Sequence, residues 1–272
     1  MAGPYAQPMG EFDPAIPNVA RIYDYYLGGS DNFAADREAG DRVLATSPEV
    51  RTTLRANRSF LGRVVRHLVT EAGIDQFVDL GAGLPTRENV HQVAQAANPV
   101  ARVVYVDNDP AVVAYAHRLL SGNDRATVIG ADLRRPGEVL ADGELLELVD
   151  LDRPAAVLMT AVLHFVGDAD DPYTIVRRYR DAMAHGSYLA LSLGTTEGVD
   201  PAKIAEAQRV YRGASSQLTY RSRTQIERLF DGFELVDPGL VRLPRWRPLS
   251  EEAARRENKG SEWMLGGVGR RR

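Results

Sequence analysis

Three short runs place glycines and acidic side chains where an apolar stretch gives way to a polar one: Asp79-Leu80-Gly81-Ala82-Gly83, Asp107-Asn108-Asp109-Pro110 and Gly130-Ala131-Asp132-Leu133. Glycines at such a junction let a ligand approach the backbone where a Cβ would clash, although a tight turn explains them when they are taken alone. Asp109 has a sufficient role as the N-cap before Pro110. Asp107 has no such role. It stands 24 positions after Gly83, and an acid about 20 residues beyond a glycine turn is where a ribose diol is held in nucleotide-binding α/β proteins. A carboxylate can accept from both ribose hydroxyls at once. In the third run, Asp132 can accept from an adenine amino group while Leu133 packs on the ring; a turn aspartate is an equally good account of Asp132 by itself.

The three runs together suit a nucleoside-bearing ligand, and the glycine turn says which kind. A dinucleotide site wants G-x-G-x-x-G, with the last glycine allowing close helix packing under the pyrophosphate. Here Thr86 takes the third glycine's place, and Leu84-Pro85 removes a donor and stiffens the turn. That is poor for phosphates and suits S-adenosylmethionine, which has ribose and adenine but no phosphate. Asp79, Ala82 and Asn108, beside the residues already named, are expected to face this cofactor.

A fourth apolar stretch ends in Thr160-Ala161-Val162-Leu163-His164-Phe165. Thr160 is expected at the cofactor and His164, which titrates near neutrality, is the candidate catalytic base. A structural histidine at a strand-helix junction is the competing account of His164. His67 and His117 suit packing or surface positions, and His91 lies near the glycine turn. The scattered histidines and the lack of cysteine leave no cluster with metal-ligand spacing. There is no G-x-S-x-G elbow for a hydrolase.

These junctions need strands and helices to hold them, and the pattern supplies both. QFVDL (76–80), RVVYVD (102–107), ATVIG (126–130), AAVLM (155–159) and SYLALSL (187–193) read as strands. Helices are expected from Thr86 to near Asn98, from Asp109-Pro110 to Ser121-Gly122, from Pro136, from Asp171-Pro172, from Asp200-Pro201 to Tyr211, and over 224–230. FELV and GLVRL are expected to close the fold as a strand pair. Such alternation predicts an α/β protein with a doubly wound, mostly parallel sheet.

Ahead of it lie an extended arm (1–17) with four prolines and a helical extension (18–73), the remainder (74–272) forming the cofactor-binding domain. Val19, Ile22, Tyr23, Tyr26 and Leu27 make one helical stripe, with Asn18 as N-cap and Gly28 as the left-handed stop. Asp31 is expected to cap a second helix to about Leu44, and Ser47-Pro48 to start a long third one that ends at Gly73.

The chain has 272 residues, 44% hydrophobic and 26% charged, ordinary for a soluble globular protein. No apolar run reaches the roughly 18 residues of a membrane span, and no basic-then-apolar leader is seen. The absence of cysteine fits a cytoplasmic protein. A net charge of −4 argues against a nucleic-acid surface, and the terminal arginines suit a solvated end. A homodimer is compatible with all of this.

QFVDLGAGLPT, VVYVDNDP, GADLRRP and the N-terminal PNVARIYDYYLGGSDNFAADRE together resemble a bacterial family of class I S-adenosylmethionine-dependent methyltransferases, formerly catalogued as a domain of unknown function. The resemblance runs from Pro17 to the closing GGVGR. It implies a seven-stranded Rossmann-like sheet, Gly81 and Gly83 near the methionine moiety, Asp107 on the ribose and Asp132-Leu133 at the adenine, with S-adenosylhomocysteine as product. A small-molecule methyl acceptor is expected. A cofactor-binding regulator without turnover stands as the alternative, and a nicotinamide-dependent oxidoreductase is disfavoured by Thr86. The break DYYLGGSDNF (24–33) is expected to form a lid over the open strand ends, its glycines allowing close approach or movement. Arg21 or Asn32 would then meet the methionine carboxylate, and Tyr23 and Tyr26 the acceptor.

Overall fold

The computed structural model describes residues 13–84, 88–258 and 263–272. Most of the 1–17 arm, and Thr86 with its neighbours, lie outside these residues. In chain order the elements are α1 (Val19–Leu27), α2 (Ala34–Thr46), α3 (Val50–Thr70), β1 (Gln76–Leu80), α4 (Val90–Ala97), β2 (Arg102–Asp107), α5 (Pro110–Leu119), β3 (Ala126–Gly130), α6 (Pro136–Leu140), α7 (Gly143–Leu148), β4 (Ala156–Thr160), α8 (Pro172–Ala182), β5 (Tyr188–Gly194), α9 (Pro201–Tyr211), α10 (Arg223–Glu227), β6 (Phe233–Leu235), β7 (Val241–Arg242), α11 (Glu251–Asn258) and β8 (Met264–Arg271).

The sheet runs β3-β2-β1-β4-β5-β8-β6, with the short β7 also paired to β8. β1 to β5 run parallel to one another, while β8 is antiparallel to β5 and carries β6 and β7 on its other edge. Strand order reverses between β1 and β4, the place where such sheets leave a crevice at their carboxyl ends. Register sets the crevice floor: Asp79 pairs with Tyr105 and Leu158, Asp107 with Gly130, and Thr160 with Ser192.

Both sheet faces are buried, so the strands read as nearly continuous apolar runs. Alternate residues serve two cores. Phe77, Val103 and Leu158 pack with Phe60, Val64 and Leu68 of α3. Val78, Val104 and Val157 pack with Leu145 of α7 and with Ile175 and Tyr179 of α8. α3 is thus the element that joins the N-terminal helices to the sheet.

Several local expectations are corrected. Asp31 does not cap α2. Its own amide donates to Asp24, and the amide of Phe33, the residue before α2, is met by Asp36 Oδ2 at 2.8 Å. Ser47-Pro48 forms a turn before α3, whose first helical residue is Val50. α4 begins at Val90 after Asn89, so an onset at Thr86 lies outside the described residues. FELV and GLVRL do not pair with each other; both pair with β8, which takes in Arg270 and Arg271 of the supposed solvated end. β8 hides behind its glycines. A Cβ on Gly266 would sit 2.6 Å from Leu243 and 2.9 Å from Phe60, and one on Gly269 would sit 2.7 Å from Phe233. The residues that let neighbours pack closely also strip the strand of its β-forming side chains.

Candidate active site

The carboxyl ends of β1 to β4 open into a cavity of about 380 Å³. Its floor is the glycine turn. Gly81 and Gly83 both have left-handed backbones, φ +72° and +65°. The two glycines differ in what surrounds them. A Cβ on Gly81 would strike Val162 at 2.3 Å, so this glycine is required by packing as well as by φ. Among the described residues, a Cβ on Gly83 meets nothing within 4 Å, and Gly83 lines the cavity.

Asp107 ends β2 almost fully buried. Its Oδ2 accepts the Gly83 amide at 2.8 Å and its Oδ1 the Asp109 amide at 2.9 Å. Burial pushes its pKa up to about 6, against the pull of these amides. Asp109 is the N-cap of α5, accepting the Ala111 amide at 2.7 Å. The capping role expected of Asp109 is present, and Asp107 lines the cavity with acceptor capacity left on its oxygens.

Past β3, Asp132 and Leu133 line the same cavity with Arg134. Arg134 clasps Asp132 through Nε at 2.9 Å and Nη2 at 2.6 Å. Burial works to raise the Asp132 pKa, but the hydrogen bonds and charge of Arg134 outweigh it and hold the carboxyl low. The group is an ionised acceptor at neutral pH. Leu133 is fixed from behind, its carbonyl accepting the Tyr179 hydroxyl at 3.0 Å.

Thr160 and Asn108 also line the cavity, but His164 does not. His164 is buried in a 3-10 turn (Leu163–Phe165), its Nδ1 3.3 Å from the Gly194 amide. Burial, helped by the Arg221 cation, lowers its pKa to about 3. It is a neutral strut between that turn and β5. Its low basicity and the Gly194 amide facing Nδ1 argue against a catalytic base at this position, and it borders the smaller space behind α1 instead of this cavity.

The N-terminal helices do cover the site, though through α1 and not through the glycine break. Asn18, Val19, Ala20, Arg21 and Tyr23 line the cavity. Ser215, after α9, closes the roof: its amide donates to the Pro17 carbonyl at 2.9 Å and its Oγ accepts from Val19 N at 3.3 Å. Arg21 is committed elsewhere than expected. Its Nε binds Asp36 at 2.9 Å, its Nη2 the Ile16 carbonyl at 2.8 Å, and its Nη1 stands 3.5 Å from Asp109. Asn32 is outside the cavity, bonded to Asp24 Oδ2 and to the Gly29 carbonyl. The break is a staple around Asp24: Gly28 takes φ +85°, and a Cβ on Gly29 would lie 1.9 Å from the Asp24 carboxylate. Tyr26 is also outside this cavity, while Tyr23 borders it.

Two residues of α3 belong to the site without having been singled out. Asn57 donates to the Tyr23 hydroxyl at 3.0 Å and accepts from Ser192 Oγ at 2.5 Å, which itself accepts the Ala161 amide at 3.0 Å. Arg58 borders the cavity beside Asp79. Burial pushes Asp79 up to about 7, with the Arg58 cation opposing and the Asp107 charge adding. The available signal was a polar pair, Asn57-Arg58, on a helix whose stripe is otherwise apolar, with Thr53 one turn earlier. His91 turns away from the main cavity and pairs with the Tyr105 hydroxyl at 2.8 Å. Among the described residues, no group of three or more His, Cys, Asp or Glu is placed to hold a metal.

An adenosyl ligand without phosphate fits this arrangement. The volume is that of a small-ligand site, Gly83 presents bare backbone, and an oriented acid, then an acid-leucine pair, follow in order along the strand ends. The sequence profile of the S-adenosyl methyltransferase family matches residues 6–272. A DUF574 family protein from Streptomyces avermitilis is 40% identical, with a TM-score of 0.91 over 96% of this chain and 99% of its own. A Thermobifida fusca protein described as a candidate methyltransferase is 39% identical, with a TM-score of 0.90 over 98% and 99%. A geranyl diphosphate methyltransferase solved with S-adenosylmethionine has the same fold at 15% identity and a TM-score of 0.54, over 82% of this chain and 90% of that one. No protein of curated function matches. With S-adenosylmethionine as its cofactor and methyl transfer as its activity, the chain belongs to the S-adenosyl methyltransferase family.

Proposed function

We propose that the protein methylates a small organic acceptor within the roofed cavity, with each end of the cofactor held by named side chains. The observation that carries this is Asp107, a buried acid whose two oxygens are already aimed by the Gly83 and Asp109 amides. Its remaining lone pairs take the ribose hydroxyls. Asp132 accepts from the adenine amino group and Leu133 packs on the ring. At the other end, Asp79 meets the methionine amino group and Arg58 its carboxylate, in place of the Arg21 or Asn32 expected from sequence. Bound there, S-adenosylmethionine supplies a methyl group activated by its sulfonium.

What remains for the chain is to position an acceptor and exclude water. α1 and the Pro17–Ser215 clasp leave a covered space, which favours a small molecule over a polymer. The acidic net charge supports the same choice. Calorimetric titration with S-adenosylhomocysteine, with NAD as the control, tests the site. Binding of the first at one per chain and not the second is expected. Tight NAD binding, or none by either, overturns the proposal.

A further inference from the structure

Behind α1 lies a second, smaller space of about 70 Å³, between the N-terminal helices and the ends of β5 and α9. Tyr26, Tyr211, Tyr220, Phe165, Leu218 and Trp263 form its walls. It is a neighbour of the cofactor cavity, because Val19, Tyr23 and Phe165 line both spaces. The space is several times the roughly 10–15 Å³ that a single water needs, and its aromatic walls, more than its volume, point to a flat guest.

The chemistry of the walls is narrow. The described residues lining the recess carry no charge at neutral pH: burial keeps the Tyr23, Tyr26, Tyr211 and Tyr220 hydroxyls protonated and His164 neutral. A charged guest would be stranded there. Two hydroxyls are left with capacity. Tyr26 is 2% exposed, and its hydroxyl, though under the influence of Tyr211, completes no hydrogen bond of ordinary geometry. Tyr23 accepts from Asn57 at 3.0 Å but reaches the Leu54 carbonyl only at a long 3.4 Å, so its proton is aimed and weakly held. A buried hydroxyl without a partner costs stability unless something completes it, and face and edge contacts among aromatic walls suit a flat guest.

We propose that this recess is the acceptor subsite, receiving an uncharged aromatic ring that presents a hydroxyl or amino nucleophile to Tyr23. The proposal rests on the larger cavity being the cofactor site. The acceptor heteroatom's lone pair forms the new bond to the methyl carbon as the carbon–sulfur bond breaks, its electron pair staying on sulfur. The heteroatom's proton leaves to water at the cavity mouth. Tyr23 is a positioning residue in this scheme, held by the Asn57–Ser192 pair.

The test is a ¹⁹F NMR titration of the full chain, saturated with S-adenosylhomocysteine, using 4-fluorophenol and 4-fluoroaniline as probes and 4-fluorobenzoate as the charged comparison. Saturable shifts are expected for the two neutral rings, with the benzoate at least tenfold weaker. Leu218→Trp fills the recess and should weaken the probes at least tenfold while calorimetry shows S-adenosylhomocysteine binding within twofold of wild type. Leu218→Phe, a smaller change, serves the same purpose if the tryptophan disturbs folding. Unchanged probe binding in the filled variants or equal binding of the benzoate overturns the recess as acceptor site. Cofactor binding with no saturable probe shift overturns the recess alone, whereas wild-type protein that fails to bind S-adenosylhomocysteine overturns the cofactor site as well.

Discussion

The Gly83 amide donates to the Asp107 carboxylate at 2.8 Å, joining the turn after β1 to the tip of β2 across 24 positions of sequence. One contact thus fixes both the bare backbone at the turn and the acid proposed to hold the ribose. Hydrogen bonds to an ionised group contribute about 1.5–3 kcal/mol each. With two ribose hydroxyls lost, Asp107→Ala should therefore weaken S-adenosylhomocysteine binding by at least about a hundredfold in calorimetry. Asp109→Ala should act mainly on stability, because it removes the α5 cap. The opposite pattern would exchange the roles of the two acids.

The two glycines of the turn should separate when each is changed to alanine. Either variant places a side chain in the left-handed region at a cost of about 1–2 kcal/mol. At Gly83 the added methyl enters open cavity, so binding should fall more than tenfold with a small change in melting temperature. At Gly81 it collides with Val162, so the melting temperature should drop first. A largely unfolded Gly83→Ala, seen by circular dichroism, would make Gly83 a packing glycine too.

β1 to β5 could be read from the sequence because apolar runs bounded by caps and glycines are local signals. Asp109-Pro110, Asp171-Pro172 and Asp200-Pro201 each opened the expected helix. The acids at the strand tips were legible for the same reason. β8 was not, since its glycines answer to Phe60, Phe230 and Phe233, which only the fold brings near. Arg21 misled by its position: a cation beside a presumed site looks like a ligand group until its partners, Asp36 and the Ile16 carbonyl, are visible. Arg58 lay in a helix that periodicity explains as packing, and the polar pair it makes with Asn57 does not say by itself which cavity it faces.

Asp79 gives a pH test. Its folded-state pKa of about 7 lies well above the ordinary carboxyl value. Between pH 4 and 7 the unfolded chain has lost this proton while the folded chain keeps it, so stability falls as pH rises through that window and levels off above it. Asp79→Asn removes the titration. Its melting temperature relative to wild type should rise progressively from pH 4 to pH 7 and then hold constant. A difference independent of pH would show that Asp79 is ionised throughout, paired with Arg58.

Arg21 ties α1 to α2 through Asp36, which is fully buried, and to the start of α5 through Asp109. Removing one partner of a buried pair leaves the other charge uncompensated, at a cost of about 3–5 kcal/mol. Arg21→Ala should therefore loosen residues 18–46 in hydrogen exchange while β1, β2 and β4 stay protected, a local opening and not global unfolding. Binding of S-adenosylhomocysteine should weaken with it, because α1 forms part of the cavity wall. In the wild type, the same ligand should slow exchange in 18–27, where α1 lines the cavity, more than in 28–33, where the glycine break is stapled to Asp24 outside it. Equal exchange with and without ligand across 18–27 would make α1 fixed scaffold, and protection centred on 28–33 would restore the glycine break as the moving part.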